Sequence, residues 1–214
     1  MFLNLQSQLQ SLLFTAMGVL PAIVIHEYAH GWISYKLGDP TAKQAGRLTL
    51  NPLKHLDPVG VLCMLFFHVG WAKPVPINPW YYKNKKKGII AVSLAGPLVN
   101  FIFAFAMLFV EGLLMKYGIY VSTVGWFFYQ LCYYSAIINI GLGLFNLIPI
   151  PPLDGSRILQ LLIPAKYYYK FLQYERYIVL VVFVLIMTGV LSTPLSYISS
   201  LIINLFSNIA SLPF

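Results

Sequence analysis

The feature that most constrains this chain is a set of apolar stretches long enough to cross a lipid bilayer. A helix needs roughly 20 mostly apolar residues to cross the hydrocarbon core. The stretches at about 9–35, 88–115, 121–148 and 177–193 have that length. A later stretch, 195–206, is shorter and contains Ser and Asn, which makes it a possible fifth span. The run 59–69 is too short to cross, which favours a re-entrant segment.

The composition agrees with a chain that lies mostly within a membrane. Apolar residues make up 59% of the 214 residues and charged residues only 9%. Soluble domains carry about 25% charged residues, so an ordinary soluble globule is excluded, and so is a disordered chain. The predicted fold class is an all-α polytopic membrane protein with about four to five transmembrane helices. These helices are expected to form a single domain over residues 1–214.

The distribution of basic residues predicts the orientation in the membrane. If residues 59–69 do not cross, every Lys and Arg except Lys116 lies on one side of the bilayer. The excess of positive charge makes that side cytoplasmic. A small cytoplasmic β-hairpin is expected from the alternation in Gly46–Pro52 and from a second segment, Trp71–Ile77. The expected location is therefore a cell membrane, crossed several times.

Ionisable residues stand inside the first predicted span, where they are costly and usually mark function. Residues 26–30 read His-Glu-Tyr-Ala-His. Two histidines four residues apart share one face of a helix, so His26 and His30 can bind one metal ion. Glu27 then lies beside that ion, where it can take a proton from a zinc-bound water. This pattern predicts a zinc site in the membrane.

A third ligand is expected, because catalytic zinc sites use three protein ligands and leave one position for water. Asp154 is a candidate because it follows Pro149, Pro151 and Pro152, which cannot continue a regular helix. Unwound backbone at membrane depth is tolerated where protein or a hydrated cavity satisfies it. An ordinary proline-rich loop, with Asp154 capping the next segment, is an alternative that the spacing alone does not exclude.

Taken together, these motifs resemble the site-2 protease family of intramembrane zinc metalloproteases. The resemblance rests on the His-Glu-x-x-His pattern in a span and on residues 146–155, which match N-x-x-P-x-P-x-L-D-G. Residues 95–100, Ala-Gly-Pro-Leu-Val-Asn, are similar to the family's G-P-x-x-N segment. The matched features cover residues 26–155, and the chain is similar to the compact subgroup without PDZ or CBS domains.

The resemblance implies one zinc ion held by His26, His30 and Asp154, with Glu27 as the catalytic base. It implies an endopeptidase that cleaves a transmembrane protein substrate and is reached from the cytoplasmic side, as in a prokaryotic plasma membrane. Asn100 and Asn146 are implied to position the substrate. In that family, extended segments near the site are thought to receive the substrate by strand addition, a binding mode that forms backbone hydrogen bonds; a purely structural hairpin is the alternative.

Two other functions use similar residues. A membrane zinc transporter, or another zinc-binding membrane protein, could use the same ligands, but transport favours ionisable residues spread over several spans. A prenyl-protein protease would need a Glu as third ligand, and the available Glu111 and Glu175 lie in no E-x-x-x-D context.

The remaining histidines and the lysine cluster have simpler explanations. His55 and His68 lack a partner at ligand spacing, which favours packing or surface roles. The lysines at 83 and 85–87 follow an aromatic run at 80–82. We expect them to face anionic lipid headgroups rather than nucleic acid. The lipid bilayer is thus an expected partner, and the sequence does not indicate the oligomeric state.

Overall fold

The computed structural model describes residues 2–60, 72–164, 167 and 173–211. Most of the predicted re-entrant segment 59–69, including His68, lies outside these residues. The described residues are mainly helical and contain no sheet, so the all-α prediction is confirmed for them. The helices are α1 (Phe2–Lys36), α2 (Thr41–Gln44), α3 (Lys85–Lys116), α4 (Thr123–Leu147), α5 (Asp154–Leu162), α6 (Glu175–Met187) and α7 (Ser192–Ser211).

Among these residues, three helices are long and apolar enough to cross a membrane. They run over Ser7–Lys36, Lys85–Lys116 and Thr123–Asn146, and they coincide with the first three predicted spans. The fourth predicted span, 177–193, is not one continuous helix. It is interrupted after Met187, where Gly189 adopts a φ of +78°, a conformation that favours glycine and ends helices. The possible fifth span, 195–206, lies within α7.

The predicted hairpin is not confirmed. The second segment forms one isolated antiparallel bridge, between Ala72 and Leu56, beside a hydrogen bond from the Lys73 amide to the His55 carbonyl at 2.8 Å; Leu56 and His55 lie outside the first predicted segment. Pro74 and Pro76 follow directly. Since proline has no backbone N–H, these residues cannot donate to a ladder.

The chain divides into two compact units. Unit 1 comprises Met1–Ala22, Asn100–Asn146 and Gln173–Phe214. Unit 2 comprises Ile23–Val99 and Leu147–Leu172. Helices α1 and α3 each supply residues to both.

Unit 1 has an apolar core built around small side chains. A Cβ atom placed on Gly18 of α1 would lie 2.7 Å from Ile138 Cδ1 of α4. Small residues at such positions let helix backbones approach closely. The buried centre is formed by Ala104, Leu108, Ala136 and Ile140, and it is covered by Phe101, Met107, Leu144, Ile202, Ile203 and Phe206.

A buried amide pair also links the helices of unit 1. Asn100 Nδ2 donates to Asn139 Oδ1 at 2.7 Å and to the Ala22 carbonyl at 3.1 Å. Asn139 Nδ2 in turn donates to the Ser135 carbonyl at 2.8 Å. Both asparagines are fully buried. Buried polar groups of this kind are costly when they lose a partner. The pair therefore holds α1, α3 and α4 together at the positions of Ala22, Asn100 and Asn139.

The amide pair predicts a measurable loss of stability for Asn139→Leu. The substitution removes the acceptor for Asn100 Nδ2, and we expect the free energy of unfolding to fall by about 0.5–2 kcal/mol. Unfolding in detergent by SDS titration measures this. Gly141→Ala is the control on the same helix, because no other residue that the structure describes lies within 4 Å of the added Cβ, apart from the glycine's neighbours on its own helix. Equal stability of Asn139→Leu and the control would contradict the structural role of the pair.

Candidate metal centre

Three predicted ligands come together within unit 2. The Nε2 atoms of His26 and His30 lie 3.0 Å apart. Each is close to Asp154 Oδ2, at 3.1 Å for His26 and 3.0 Å for His30. No other group of three or more His, Cys, Asp or Glu side chains in the described part of the chain brings its ligand atoms this close together. Residues separated by more than 120 positions thus point three donor atoms at one place.

The histidines are oriented by helix α1 and by a contact with α3. Their four-residue spacing places both rings on one face, and the ring centroids are 4.6 Å apart. His30 Nδ1 lies 2.7 Å from the Val92 carbonyl oxygen. Because a carbonyl only accepts, Nδ1 carries a proton, and the neutral ring then keeps its lone pair on Nε2. Such a second contact fixes the tautomer of a metal-binding histidine.

Asp154 directly follows the predicted break after the third span. Helix α4 ends at Leu147, and α5 begins at Asp154 itself. A Cβ atom on Gly155 would collide with the carbonyl oxygens of Leu147 and Ile148. The sequence therefore needs glycine directly after the aspartate, because only then can the start of α5 fold back onto the end of α4.

The Asp154 carboxylate is held in its ionised form. Burial raises the pKa of this carboxyl, but contact with the protonated forms of His26 and His30 outweighs it and holds the pKa below its ordinary value. A metal ligand must be deprotonated, so this environment suits the role.

Glu27 lies beside the three ligands rather than among them. It follows His26 on α1, and its Oε2 accepts a hydrogen bond from the Val75 amide at 2.9 Å. The side chain is partly buried. One carboxylate oxygen is thus fixed by backbone from the segment that follows Ala72.

Gly96 is a site residue that sequence reasoning did not single out, although it stands in the quoted Gly-Pro segment. A Cβ atom there would lie 2.5 Å from His30 Nε2 and 2.6 Å from His26 Nε2. Helix α3 can therefore approach the ligand atoms only because residue 96 has no side chain. The Gly-Pro pair was the available signal, but it does not reveal which atoms the glycine would meet.

The donor set fits zinc. Two imidazole nitrogens and one carboxylate oxygen are common zinc ligands, and bonds of about 2.0–2.1 Å in a tetrahedron place donor atoms about 3.3 Å apart. The observed separations of 3.0 and 3.1 Å are close to that. Three ligands also leave one position for water or substrate, as in catalytic sites.

The other predicted residues are not among the three ligands. Asn100 belongs to the buried pair of unit 1, and Asn146 Nδ2 donates to the Leu142 carbonyl at 3.0 Å within α4. His55 is fully buried, with Nε2 2.7 Å from the Thr49 carbonyl, as a packing role requires. Glu111 and Glu175 both belong to unit 1 and are not part of the ligand cluster.

A helical, apolar chain with a His-Glu-x-x-His metal centre defines a class, the membrane-associated zinc peptidases. Comparison with known proteins identifies the family. The model of Peptidase family M50 matches residues 112–189. The protein named "Putative zinc metalloprotease YwhC", from Bacillus subtilis, is 41% identical over 82% of this chain and 84% of its own length. The chain therefore belongs to peptidase family M50, and it is a zinc metalloprotease of the membrane.

Longer relatives are similar over part of their length. "Zinc metalloprotease MJ0392" of Methanocaldococcus jannaschii is 30% identical over 69% of this chain and 34% of its own length. "Putative zinc metalloprotease Rip2" of Mycobacterium tuberculosis is 30% identical over 67% of this chain and 54% of its own length. No solved structure matches this chain.

The close approach at Gly96 predicts that Gly96→Ala lowers zinc content and peptidase activity together. The added methyl group would occupy the space beside both Nε2 atoms, and α3 would have to move away from the ligands. Metal analysis of the purified protein measures this. Gly112→Ala is the matched control on the same helix, since the described part of the chain places nothing within 4 Å of its Cβ beyond the neighbouring residues of α3 itself. Full zinc occupancy in Gly96→Ala would show that the donor atoms do not need this contact.

Proposed function

We propose that this zinc metalloprotease is an intramembrane endopeptidase, which cleaves peptide bonds in or near the transmembrane segments of membrane proteins. The observation that carries the proposal is the position of the histidines within Ser7–Lys36, a helix long and apolar enough to cross a membrane. His26 and His30 are 5% and 4% exposed. Peptide bonds that reach such a site have to come from a segment that enters the membrane.

The end of α1 supports a proposal for the side of access. His30 stands six residues before Lys36, which corresponds to about 9 Å along a helix. Lys36 Nζ lies 5.4 Å from the centroid of the Trp32 ring, a pairing of cation and aromatic ring that suits the membrane interface. In the predicted topology, nearly all basic residues lie on the side of the membrane where α1 ends. We therefore assign that side to the cytoplasm. The chain would then cross the cell membrane several times.

The chemistry assigns separate roles to four residues. His26, His30 and Asp154 would hold the zinc ion, which when bound acidifies a water molecule and polarises the substrate carbonyl. Glu27 acts as the base: it accepts a proton from the attacking water and passes it to the leaving amine nitrogen. Its Oε2 is fixed by the Val75 amide at 2.9 Å, so we assign the proton transfer to Oε1.

Substrate handling is a further part of the proposal. We assign Asn100 and Asn146 to substrate positioning on the family resemblance. The substrate class is a transmembrane protein segment that unwinds before cleavage, since a carbonyl within a helix is bonded to its own chain. Zinc transport is set aside, because the relatives are zinc metalloproteases by name.

The proposal predicts that Glu27→Gln retains zinc and loses peptidase activity. Glutamine keeps the size and the acceptor for Val75 but cannot take up the proton, so we expect a rate loss of about 100-fold or more. Cleavage of a co-expressed transmembrane substrate in membranes, with metal analysis of the same preparation, measures both. Full cleavage by Glu27→Gln would contradict the assigned base.

Asp154→Asn tests the ligand set separately. The amide is a weaker metal ligand than the carboxylate, so zinc stoichiometry should fall and activity should fall with it. Asp57→Asn is the control, because Asp57 accepts from the Val59 and Gly60 amides at 2.9 Å and belongs to no metal cluster among the described residues. Unchanged zinc stoichiometry in Asp154→Asn would remove this residue from the ligands.

A further inference from the structure

A short segment of unit 2, Ala72–Asn78, is held along its whole length by hydrogen bonds; we call it the strap. At its start, the Lys73 amide donates to the His55 carbonyl at 2.8 Å, and the Lys73 carbonyl accepts from Arg47 Nη2 at 2.6 Å. In its middle, the Val75 amide donates to Glu27 Oε2 at 2.9 Å. At its end, the Asn78 amide donates to Asp39 Oδ2 at 2.7 Å. The strap therefore connects the assigned base with Asp39.

Asp39 is fully buried, which is unusual for an acid. Its oxygens accept from the Asn78 amide, from Ser34 Oγ at 2.7 Å and from the Thr41 amide at 2.9 Å. The Thr41 hydroxyl donates to the same carboxylate. Burial raises the pKa of Asp39, but these bonds outweigh it and hold the pKa below its ordinary value. The carboxylate is thus an ionised centre surrounded by donors.

The strap is linked to helix α1 at two points, and the distance between these points is similar along the strap and along α1. On α1, Glu27 and Ser34 are seven residues apart, which is about 10.5 Å and nearly two turns, so both lie on one side of the helix. On the strap, Val75 and Asn78 are three residues apart, a distance of about 10 Å for extended chain. The first contact is direct, and the second runs through Asp39, which accepts from both Ser34 and Asn78.

Two packing contacts keep this alignment. Gly31, midway between the two contacts on α1, is close to the strap: a Cβ atom there would lie 3.1 Å from Val75 Cγ1. Ser34 Oγ also lies 2.7 Å from the Tyr82 hydroxyl, and Ser34 and Tyr82 are both buried. Since Ser34 donates to Asp39, Tyr82 donates to Ser34.

We propose that Asp39 is a positioning residue for the reaction: it holds the Asn78 end of the strap on α1, so that the Val75 amide keeps Glu27 in its catalytic orientation. This inference rests on the proposed role of Glu27 as the base. It extends the functional unit beyond the metal centre to an acid twelve residues further along the chain. A displacement of about 1 Å at a catalytic group can cost about 100-fold in rate, so a small shift of the strap matters.

Asp39→Asn is the first test, made on the full-length, zinc-loaded protein in detergent or membranes. Asparagine has a single acceptor oxygen, so it cannot accept from both the Asn78 and the Thr41 amides. We expect kcat to fall about tenfold or more, while zinc content is unchanged and KM stays within about twofold. Asp57→Asn, which also loses a carboxylate that accepts backbone amides outside the strap, should keep its kcat.

A double-mutant cycle separates positioning from a merely structural role. In Glu27→Asp the carboxylate is shorter by one methylene group and no longer reaches the Val75 amide, although it remains a base. If Asp39 acts through this contact, adding Asp39→Asn to Glu27→Asp should change kcat by less than about twofold. The same fold-loss in both backgrounds would overturn the proposal, because it would show that Asp39 acts independently of Glu27.

Ser34→Ala keeps the proposal testable if Asp39→Asn does not fold. It removes one donor from Asp39 Oδ2 and leaves the carboxylate in place, so we expect a smaller loss of kcat that again disappears in Glu27→Asp. A loss that persists there would overturn the proposal. Full activity of Glu27→Gln would instead refute the proposed function itself, whereas loss in Glu27→Gln with normal kcat in Asp39→Asn would refute only the role of Asp39.

Discussion

Two imidazole nitrogens and one carboxylate oxygen lie within 3.1 Å of one another in unit 2, and much of the surrounding structure follows from that convergence. Such atoms repel when all of them carry lone pairs, and they are costly in apolar surroundings unless a cation or protons satisfy them. The chain provides two backbone features that permit the approach. Gly96 lets α3 reach the ligand atoms, and Gly155 lets the start of α5 fold onto the end of α4.

The same convergence explains why the helices are interrupted where they are. A continuous helix after Leu147 would carry Asp154 about 10 Å further along its axis, whereas the proline-rich turn lets α5 begin at Asp154. The unwound residues use local bonds, including Leu153 N to the Ile150 carbonyl at 3.0 Å and Ser156 Oγ to the Leu153 carbonyl at 2.7 Å. The break is thus compatible with an apolar environment because its polar groups find partners nearby.

Local patterns in the sequence predicted the parts of the site that depend on local geometry. The spacing of His26 and His30 fixes their shared face within one turn of a helix, and the prolines before Asp154 end the third predicted span. Asp154 as a ligand required the family resemblance, because spacing alone allowed a capping role. Gly96 lies against the two histidines, and Val75 donates to Glu27. Both contacts join segments far apart in sequence, and no periodicity encodes them. The interruption of the fourth predicted span near Gly189 was not predicted either, because hydropathy does not report the backbone conformation of a single residue.

The hydrogen bonds of the strap also bear on substrate binding. Strand addition needs an edge that offers both N–H donors and carbonyl acceptors. In the strap, the amides of Lys73, Val75 and Asn78 are already bonded to other parts of unit 2, and Pro74 and Pro76 have no amide hydrogen. A substrate strand could donate to the strap's carbonyl groups but would find few donors in return. The strap is therefore better suited to orienting Glu27 than to serving as a two-sided template for the substrate.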